Sequence, residues 1–393
     1  MSLFLSMAVG IAVSVFNARV LGAESYGDLK FLQTVFTFVV TCLTFGVFVT
    51  GSRLLAQEEH EGGEAGLIGT LLIVWGVIAL LVVAAVNVFA MVEDNIFGNG
   101  LESIIRLCSP LVVVLPLQLC VDNILQGTNR IYKLSILRVA PQLLYLITAV
   151  GLSYVLQLTL LEVLLVHLVT LGVVVVLLGA LLRPDFRAAR QWLPVIREEN
   201  RRYGLQVYIG FLTGVASSHL GVLAVSYFLG SEEVAYFALA VTLTLPLTLM
   251  PNAVGTTYFR AFARRRTIPR KVTGVTWLLS AFILIGFGIA IGTIVEILYS
   301  AEYRGTTRLA YIIAVGSVCH GLGDFYNRFV GAHGRGKEIR NSNVAVGTVN
   351  VVGNLVLVYS FGVVGAAVTR VLAGLTYVAM MLRSYRKTVI SSE

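Results

Sequence analysis

The chain has 393 residues, of which 57% are hydrophobic and only 13% charged, and its mean hydropathy is +0.86. A water-soluble domain of that size needs far more polar surface, so the composition excludes a soluble enzyme or binding module and points to a polytopic membrane protein. A formal net charge of +8 would suit a polyanion such as nucleic acid, but the placement of the charges along the chain explains it without one.

Apolar runs fall near residues 3–20, 28–50, 66–91, 104–125, 134–157, 159–182, 204–229, 234–258, 273–299, 307–330, 342–361 and 363–382. At about 30–35 residues for each helix and its loop, this is roughly twelve membrane spans with no room for a separate soluble domain. The first run lacks a basic leader and a small-residue cleavage site, so it reads as a retained span. Even-numbered connections and the C-terminus carry most of the basic residues, from Arg53 through Arg130, Lys133 and the Arg183–Arg202 stretch to Arg264, Arg335, Arg383 and Arg386. Odd-numbered ones hold only Arg19, Lys30, Arg106, Arg304 and Arg308. The positive-inside rule then puts both termini in the cytoplasm.

The same pattern occurs twice. Asn17 to Gly27 closes one apolar run and opens the next through Leu21-Gly22, a small residue and an acid, and Ser226 to Tyr236 repeats this through Leu229-Gly230. In that register Arg53 and Ala56 fall close to Arg260 and Ala263, and Gly127-Thr128-Asn129-Arg130 falls near Ala332-His333-Gly334-Arg335. An internal repeat of half the chain, built from membrane helices, is characteristic of transporters. The longest connection, Arg183 to Tyr203, joins the halves; its Phe186, Trp192, Leu193 and Ile196 alternate with arginines. It reads either as a helix lying on the inner leaflet or as a charged linker that simply obeys the topology rule.

Several spans carry a polar or small stripe at helical spacing. The stripes are Ser6, Gly10, Ser14 and Asn17; Gln33, Thr37, Thr41 and Thr44; Gln118, Asp122 and Gln126; Arg138, Gln142 and Tyr145; and Gln206, Gly210, Thr213, Gly214, Ser217 and Gly221. For Gly210 and Gly214 close helix packing is the favoured reading. Amides and charges need another explanation. His320, Asp324 and Arg328 recur every four residues on one face of the tenth span, beside Ser317 and Asn327. Each charge costs about 2.5–3.5 kcal/mol at mid-bilayer, so the group must pair or face water. A helix-locking Asp324–Arg328 pair and a cavity wall with proton exchange between His320 and Asp324 both satisfy that demand. Asp122 and Arg138 are expected to face each other. Arg370 has no acid near it in sequence, which calls for an anionic ligand or a partner on another helix. Glu162, near the outer end of its span, is expected to snorkel, and His219 to be packed or hydrogen-bonded.

Other signals are weaker. Cys42, Cys108, Cys120 and Cys319 all lie in apolar runs without Cys-x-x-Cys spacing, so no metal or disulfide framework is expected. Gly331 to Lys337 has the spacing of a phosphate-binding loop, but Glu338 replaces the Ser or Thr and the flanks are membrane helices, so no nucleotide site is expected. Glu58-Glu59-His60-Glu61 with Glu64 suits a solvated loop better than a cation site. Short outer loops and the absence of catalytic motifs argue against an enzyme, in particular a membrane-embedded glycan polymerase.

Taken in order, Ala18 to Gly22 with Tyr26-Gly27, Gly51 to Ala56, Phe228 to Val234, Pro251 to Phe262, Leu298 to Tyr303 and Phe361 to Ala367 resemble the Wzx-type polysaccharide-biosynthesis flippases of the multidrug/oligosaccharidyl-lipid/polysaccharide exporter superfamily. His219 stands where many relatives carry an acid, and the first span lacks the acid that the drug-exporting branch often uses for ion coupling. The resemblance implies an all-α fold of about twelve transmembrane helices in two six-helix lobes, a parallel repeat with a pseudo-twofold along the membrane normal and a central cavity. The corresponding divisions are 1–182 for the first lobe, 183–203 for a cytoplasmic amphipathic linker, 204–383 for the second lobe and 384–393 for a cytoplasmic tail.

It further implies a flippase of the cell membrane that carries a polyprenyl-phosphate- or pyrophosphate-linked oligosaccharide to the outer leaflet, for cell-surface polysaccharide or glycoprotein assembly. Membrane lipids and other polysaccharide-assembly proteins would be its partners. The alternative is a cation-coupled multidrug antiporter. Arg53, Arg138, Arg328 and Arg370 are the expected phosphate ligands, because guanidinium matches phosphate oxygens bidentately. Gln118, Gln142, Tyr145 and Asn327 are the expected sugar ligands, and His320 with Asp324 the expected site of proton or sodium coupling. No cofactor or metal is expected.

Overall fold

The computed structural model describes residues 2–57 and 61–390, and for residues 2–4, 61, 62, 210, 211, 213–218 and 260 the backbone alone. Glu58, Glu59 and His60 therefore lie outside the described residues, as do the side chains of Glu61, Arg260, Gly210, Thr213, Gly214 and Ser217. Among the described residues there is no strand. The chain divides into two compact units, Met1–Leu212 and Thr213–Glu393, here called lobe 1 and lobe 2.

Lobe 1 begins with α1 (Ser2–Leu43), α2 (Val47–Gln57) and α3 (Glu61–Phe97). Then come α4 (Glu102–Cys108), which runs through a 3-10 turn into α5 (Val114–Gly127), α6 (Ile131–Ser153) and α7 (Leu160–Ala180). The linker folds as α8 (Ala189–Glu199), followed by a π-helical turn at Asn200–Gly204 that leads into α9 (Leu205–Leu229). Lobe 2 continues with α10 (Ser231–Phe262), α11 (Arg270–Tyr299), α12 (Arg304–Ala332), α13 (Gly336–Phe361) and α14 (Val363–Ile390).

Among the described residues ten helices are long and apolar enough to cross a bilayer. They account for eleven of the twelve predicted runs, because the first two are arms of α1 that meet at Gly22. The remaining run is α9, whose His219–Leu229 stretch is a shorter apolar helix. The second run also breaks where none was expected. Phe45 and Gly46 take φ of 47° and 74°, and α2 continues beyond them.

The repeat is visible in backbone angles. Gly22 has φ 74° and ψ 175°, and Gly230 has φ 99° and ψ −178°. That region is open essentially to glycine alone, so each Leu-Gly pair turns the chain from one span to the next with a single residue. Further on, Asn129 and Gly334 both have positive φ. The N–H of Arg130 donates to the carbonyl of Leu125 (2.9 Å), and that of Arg335 to Val330 (3.2 Å), so both helices end in the same Schellman-type closure.

The linker is held to lobe 1. Trp192 and Ala188 pack over Gly66, Ile196 is buried, Asn200 Nδ2 donates to the Phe45 carbonyl (3.1 Å) and Thr50 Oγ1 donates to Asn200 Oδ1 (2.8 Å). Glu162 stands at the start of α7. Its carboxylate accepts the Thr159 N–H (2.8 Å) and so caps α7, a local bond that satisfies an otherwise orphan donor.

In lobe 2, α12 is wrapped closely by its neighbours through glycine. A side chain at Gly316 would meet the Arg370 carbonyl at 2.7 Å, and one at Gly374 would meet the Gly316 carbonyl at 2.3 Å. Such close backbone approach is how helices associate where hydrophobic driving force is weak. Below this crossing Phe262, Phe325, Phe329 and Met381 form a buried cluster.

Candidate functional site

Each lobe contains its own polar cavity. That of lobe 1 has a volume of about 370 Å³ and is lined by Gly10, Lys30, Gln33, Thr37, Gln118, Arg138, Gln142 and His167, with Leu and Val between them. The two arms of α1 reach it together because the Ser14 and Tyr26 hydroxyls are 2.7 Å apart across the Gly22 corner. Ser6 Oγ donates to the Arg138 carbonyl (3.2 Å), which fixes α6 to the first arm. Arg138 Nε lies 3.8 Å from Asp122 Oδ1, as expected from their positions, and Asp122 also accepts from Gln126. The Gln142 Oε1 is buried without a hydrogen-bond partner. A buried amide oxygen left so is costly unless something in the cavity completes it.

The lobe 2 cavity, about 460 Å³, is lined by Thr248, Ser317, His320, Asp324, Asn343, Asn350 and Arg370. Its carboxylate is held from two sides: Asn252 Nδ2 donates to Asp324 Oδ2 (3.2 Å) and the Tyr377 hydroxyl donates to Oδ1 (3.0 Å). Asn327 Nδ2 donates in turn to Tyr377 (3.0 Å), and the His320 ring stacks on that of Tyr377 at 4.6 Å. Arg328 donates to Oδ1 of the same Asn252 (3.2 Å), so that amide stands between the two charges. No Asp324–Arg328 ion pair forms. Helical spacing made the pair available, but a phenol and an amide from neighbouring helices satisfy the carboxylate first.

The two cavities are copies of one plan. In the register that pairs Gly22 with Gly230, Gln33 and Thr37 fall on Val241 and Leu245. Pairing Asn129 with Gly334 puts Arg138, Pro141 and Gln142 on Asn343, Val346 and Gly347. Pairing the first residues of α7 and α14 puts His167 and Leu171 on Arg370 and Gly374. Every one of these residues lines its own lobe's cavity.

The expected site residues thus distribute unevenly. Arg138, Gln118 and Gln142 line the first cavity, and Arg370, His320 and Asp324 the second. Asn327 touches the second only through Tyr377. Tyr145 is buried, donates to Asn17 and packs edge-on against His167 (5.5 Å). Arg328 is exposed and lies outside the cavity lining. Arg53 pairs with Glu199 (2.6 Å) and lies over the Tyr203 ring (4.4 Å), fastening the linker to α2.

Lys30 was not among the expected ligands: it was counted with an outer connection, although it stands just inside the run that starts near residue 28. The missed signal was available: Lys30 extends the Gln33, Thr37, Thr41 stripe by one helical turn.

A duplicated six-span lobe with a polar cavity in each copy defines a multi-pass membrane protein of the transporter class. The chain belongs to the polysaccharide biosynthesis protein family, whose profile matches residues 1–265. Among curated protein sequences none matches it. Its fold is that of the lipid II flippase MurJ in an inward closed conformation, with a TM-score of 0.79 at 15% identity over 100% of this chain and 89% of that one. An inward-facing multidrug resistance MATE family transporter of the MOP superfamily gives a TM-score of 0.72 at 15% identity, covering 98% and 95%. The MATE multidrug transporter DinF-BH gives 0.66 at 12% identity, covering 100% and 94%.

Proposed function

We propose that the chain flips a polyprenyl-phosphate- or pyrophosphate-linked oligosaccharide from the cytoplasmic to the outer leaflet of the cell membrane by alternating access, with both termini in the cytoplasm. The physical task is to move a large anionic headgroup through about 30 Å of hydrocarbon while its tail stays in the bilayer. The observation that carries this reading is the lobe 1 cavity, in which Lys30 and Arg138 stand among Gln33, Gln118 and Gln142. Cations of this kind attract phosphate oxygens, and the amides offer donors and acceptors to sugar hydroxyls. Arg370, with Asn343 and Asn350 beside it, gives lobe 2 a second place for an anion. Family membership and likeness to a lipid II flippase support the same substrate class.

Asp324 and His320, in one cavity and joined through Tyr377, are the proposed site of proton or sodium coupling. The second reading, export of organic cations, draws on the likeness to multidrug MATE transporters and on this carboxylate. It fits less well with a first cavity whose lining charges are Lys30 and Arg138.

The test is headgroup accessibility in proteoliposomes. A fluorescent polyprenyl diphosphate carrying one N-acetylhexosamine should become accessible to an external quencher faster with the protein than without it. An unchanged rate for every such glycolipid, together with expulsion of an organic cation, would overturn the proposal in favour of the second reading.

A further inference from the structure

The lobe 1 cavity carries its two cations at opposite ends. Helix geometry places Arg138, seven residues into α6, about 10 Å from the membrane face where that helix starts. His167 is seven residues into α7 and lies about 10 Å from the other face, because α6 and α7 run antiparallel. Lys30, eight residues past the Gly22 corner on the returning arm of α1, stands about 12 Å from that same second face. Gln142, Gln118 and Gln33 fill the levels between, and Thr37 reaches about the level of Arg138.

Lys30 is poorly satisfied by the protein. Its Nζ donates to Gln33 Oε1 at 3.3 Å and lies 5.2 Å from the Tyr26 ring centroid, and among the described residues no carboxylate comes within ion-pair distance. An ammonium at this depth without a counter-charge needs water or an anion. The repeat shows that this cation is not inherited with the fold. In lobe 2 the matching positions are Ala238, Val241 and Leu245, so the polar ladder of α1 has no copy on α10.

We infer that Lys30, with Gln33 and His167, forms a second anion station, and that a phosphate or diphosphate group passes to it from Arg138 within lobe 1. The inference rests on the proposed flippase reading for its direction, inner to outer, but not for the existence of the site. Arg138, already neighboured by Asp122, would receive the headgroup, and Lys30, lacking an acid, would draw it onward.

Two measurements on the full chain test this. The first uses inorganic pyrophosphate as probe with purified wild type, K30Q, K30R and R138Q. Wild type should bind in two phases, K30Q and R138Q should each lose a different one, and K30R should regain the lost phase; thermal unfolding of each variant separates misfolding from loss of the site. The second uses the fluorescent glycolipid in proteoliposomes, where K30Q should slow flipping about tenfold, the scale of one charge-assisted contact. A single binding phase lost equally in K30Q and R138Q, or flipping by K30Q at the wild-type rate, overturns the inference. If wild type flips no glycolipid but the two pyrophosphate phases behave as stated, the station stands and the flippase reading falls. If both phases respond to pyrophosphate but flipping competes only with the lipid diphosphate, the ligand is the lipid headgroup rather than free phosphate.

Discussion

Replacing Arg53 with glutamine separates a phosphate ligand from a structural clasp. The guanidinium contacts the Glu199 carboxylate at 2.6 Å and the Tyr203 ring at 4.4 Å, with side-chain exposures of 42% for Arg53 and 22% for Glu199. A partly exposed ion pair contributes about 0.2–1 kcal/mol and a surface cation–π contact about 0.5–1 kcal/mol. R53Q should therefore cost roughly 1–2 kcal/mol and E199Q roughly 0.5–1 kcal/mol, with a coupling near the ion-pair value in the double variant. Equilibrium SDS unfolding of the purified protein measures all three. The coupling should shrink at about 1 M salt, where the screening length is about 3 Å. Pyrophosphate binding should be the same in R53Q and E199Q. If the two substitutions are additive, or if R53Q alone abolishes pyrophosphate binding, Arg53 is not the clasp that the contacts indicate.

Other expected outcomes concern the corners and the lobe 2 network. Gly22→Ala and Gly230→Ala should each destabilise by about 1–3 kcal/mol through backbone strain, although a methyl at Gly230 would meet nothing within 4 Å; comparable losses in SDS unfolding would check that. Gly365→Ala should be more damaging, since its Cβ would be placed 1.9 Å from the Leu357 carbonyl, and failure to accumulate folded protein is the readout. Y377F removes one of the two donors to Asp324 and should cost about 1–3 kcal/mol, together with slower transport in the liposome assay. R370Q should slow flipping in the liposome assay while leaving both pyrophosphate phases assigned to lobe 1 in place, which pyrophosphate binding to that variant can check.

Much of this architecture was legible in the residues. Hydropathy located the runs, and the Leu-Gly and Asn129/Gly334 correspondences located the repeat, because only a few residue types accept those backbone angles. Polar stripes at helical spacing pointed to the cavity faces of α1, α5 and α6. Four features escaped for identifiable reasons. The break at Phe45-Gly46 lies inside an unbroken apolar run, where hydropathy carries no signal. Lys30 was misplaced because a charge at the edge of a run looks the same whether it lies in a loop or one turn inside a helix. Arg53 and Arg328 share residue type with Arg138 and Arg370, and only packing shows that the first reaches toward the linker and that the second lies outside the cavity lining. Spacing along one helix likewise left the choice of partner for Asp324 open, since Tyr377 and Asn252 belong to other helices.

The corner at Gly22 has a mechanical meaning for transport. One residue joins two arms that both form the wall of the same chamber, Gly10 and Val13 on the incoming side, Lys30 through Thr37 on the outgoing side. A hinge that short has no slack: tilting either arm drags the other, so the width of the chamber and the position of its ammonium change together rather than one after the other.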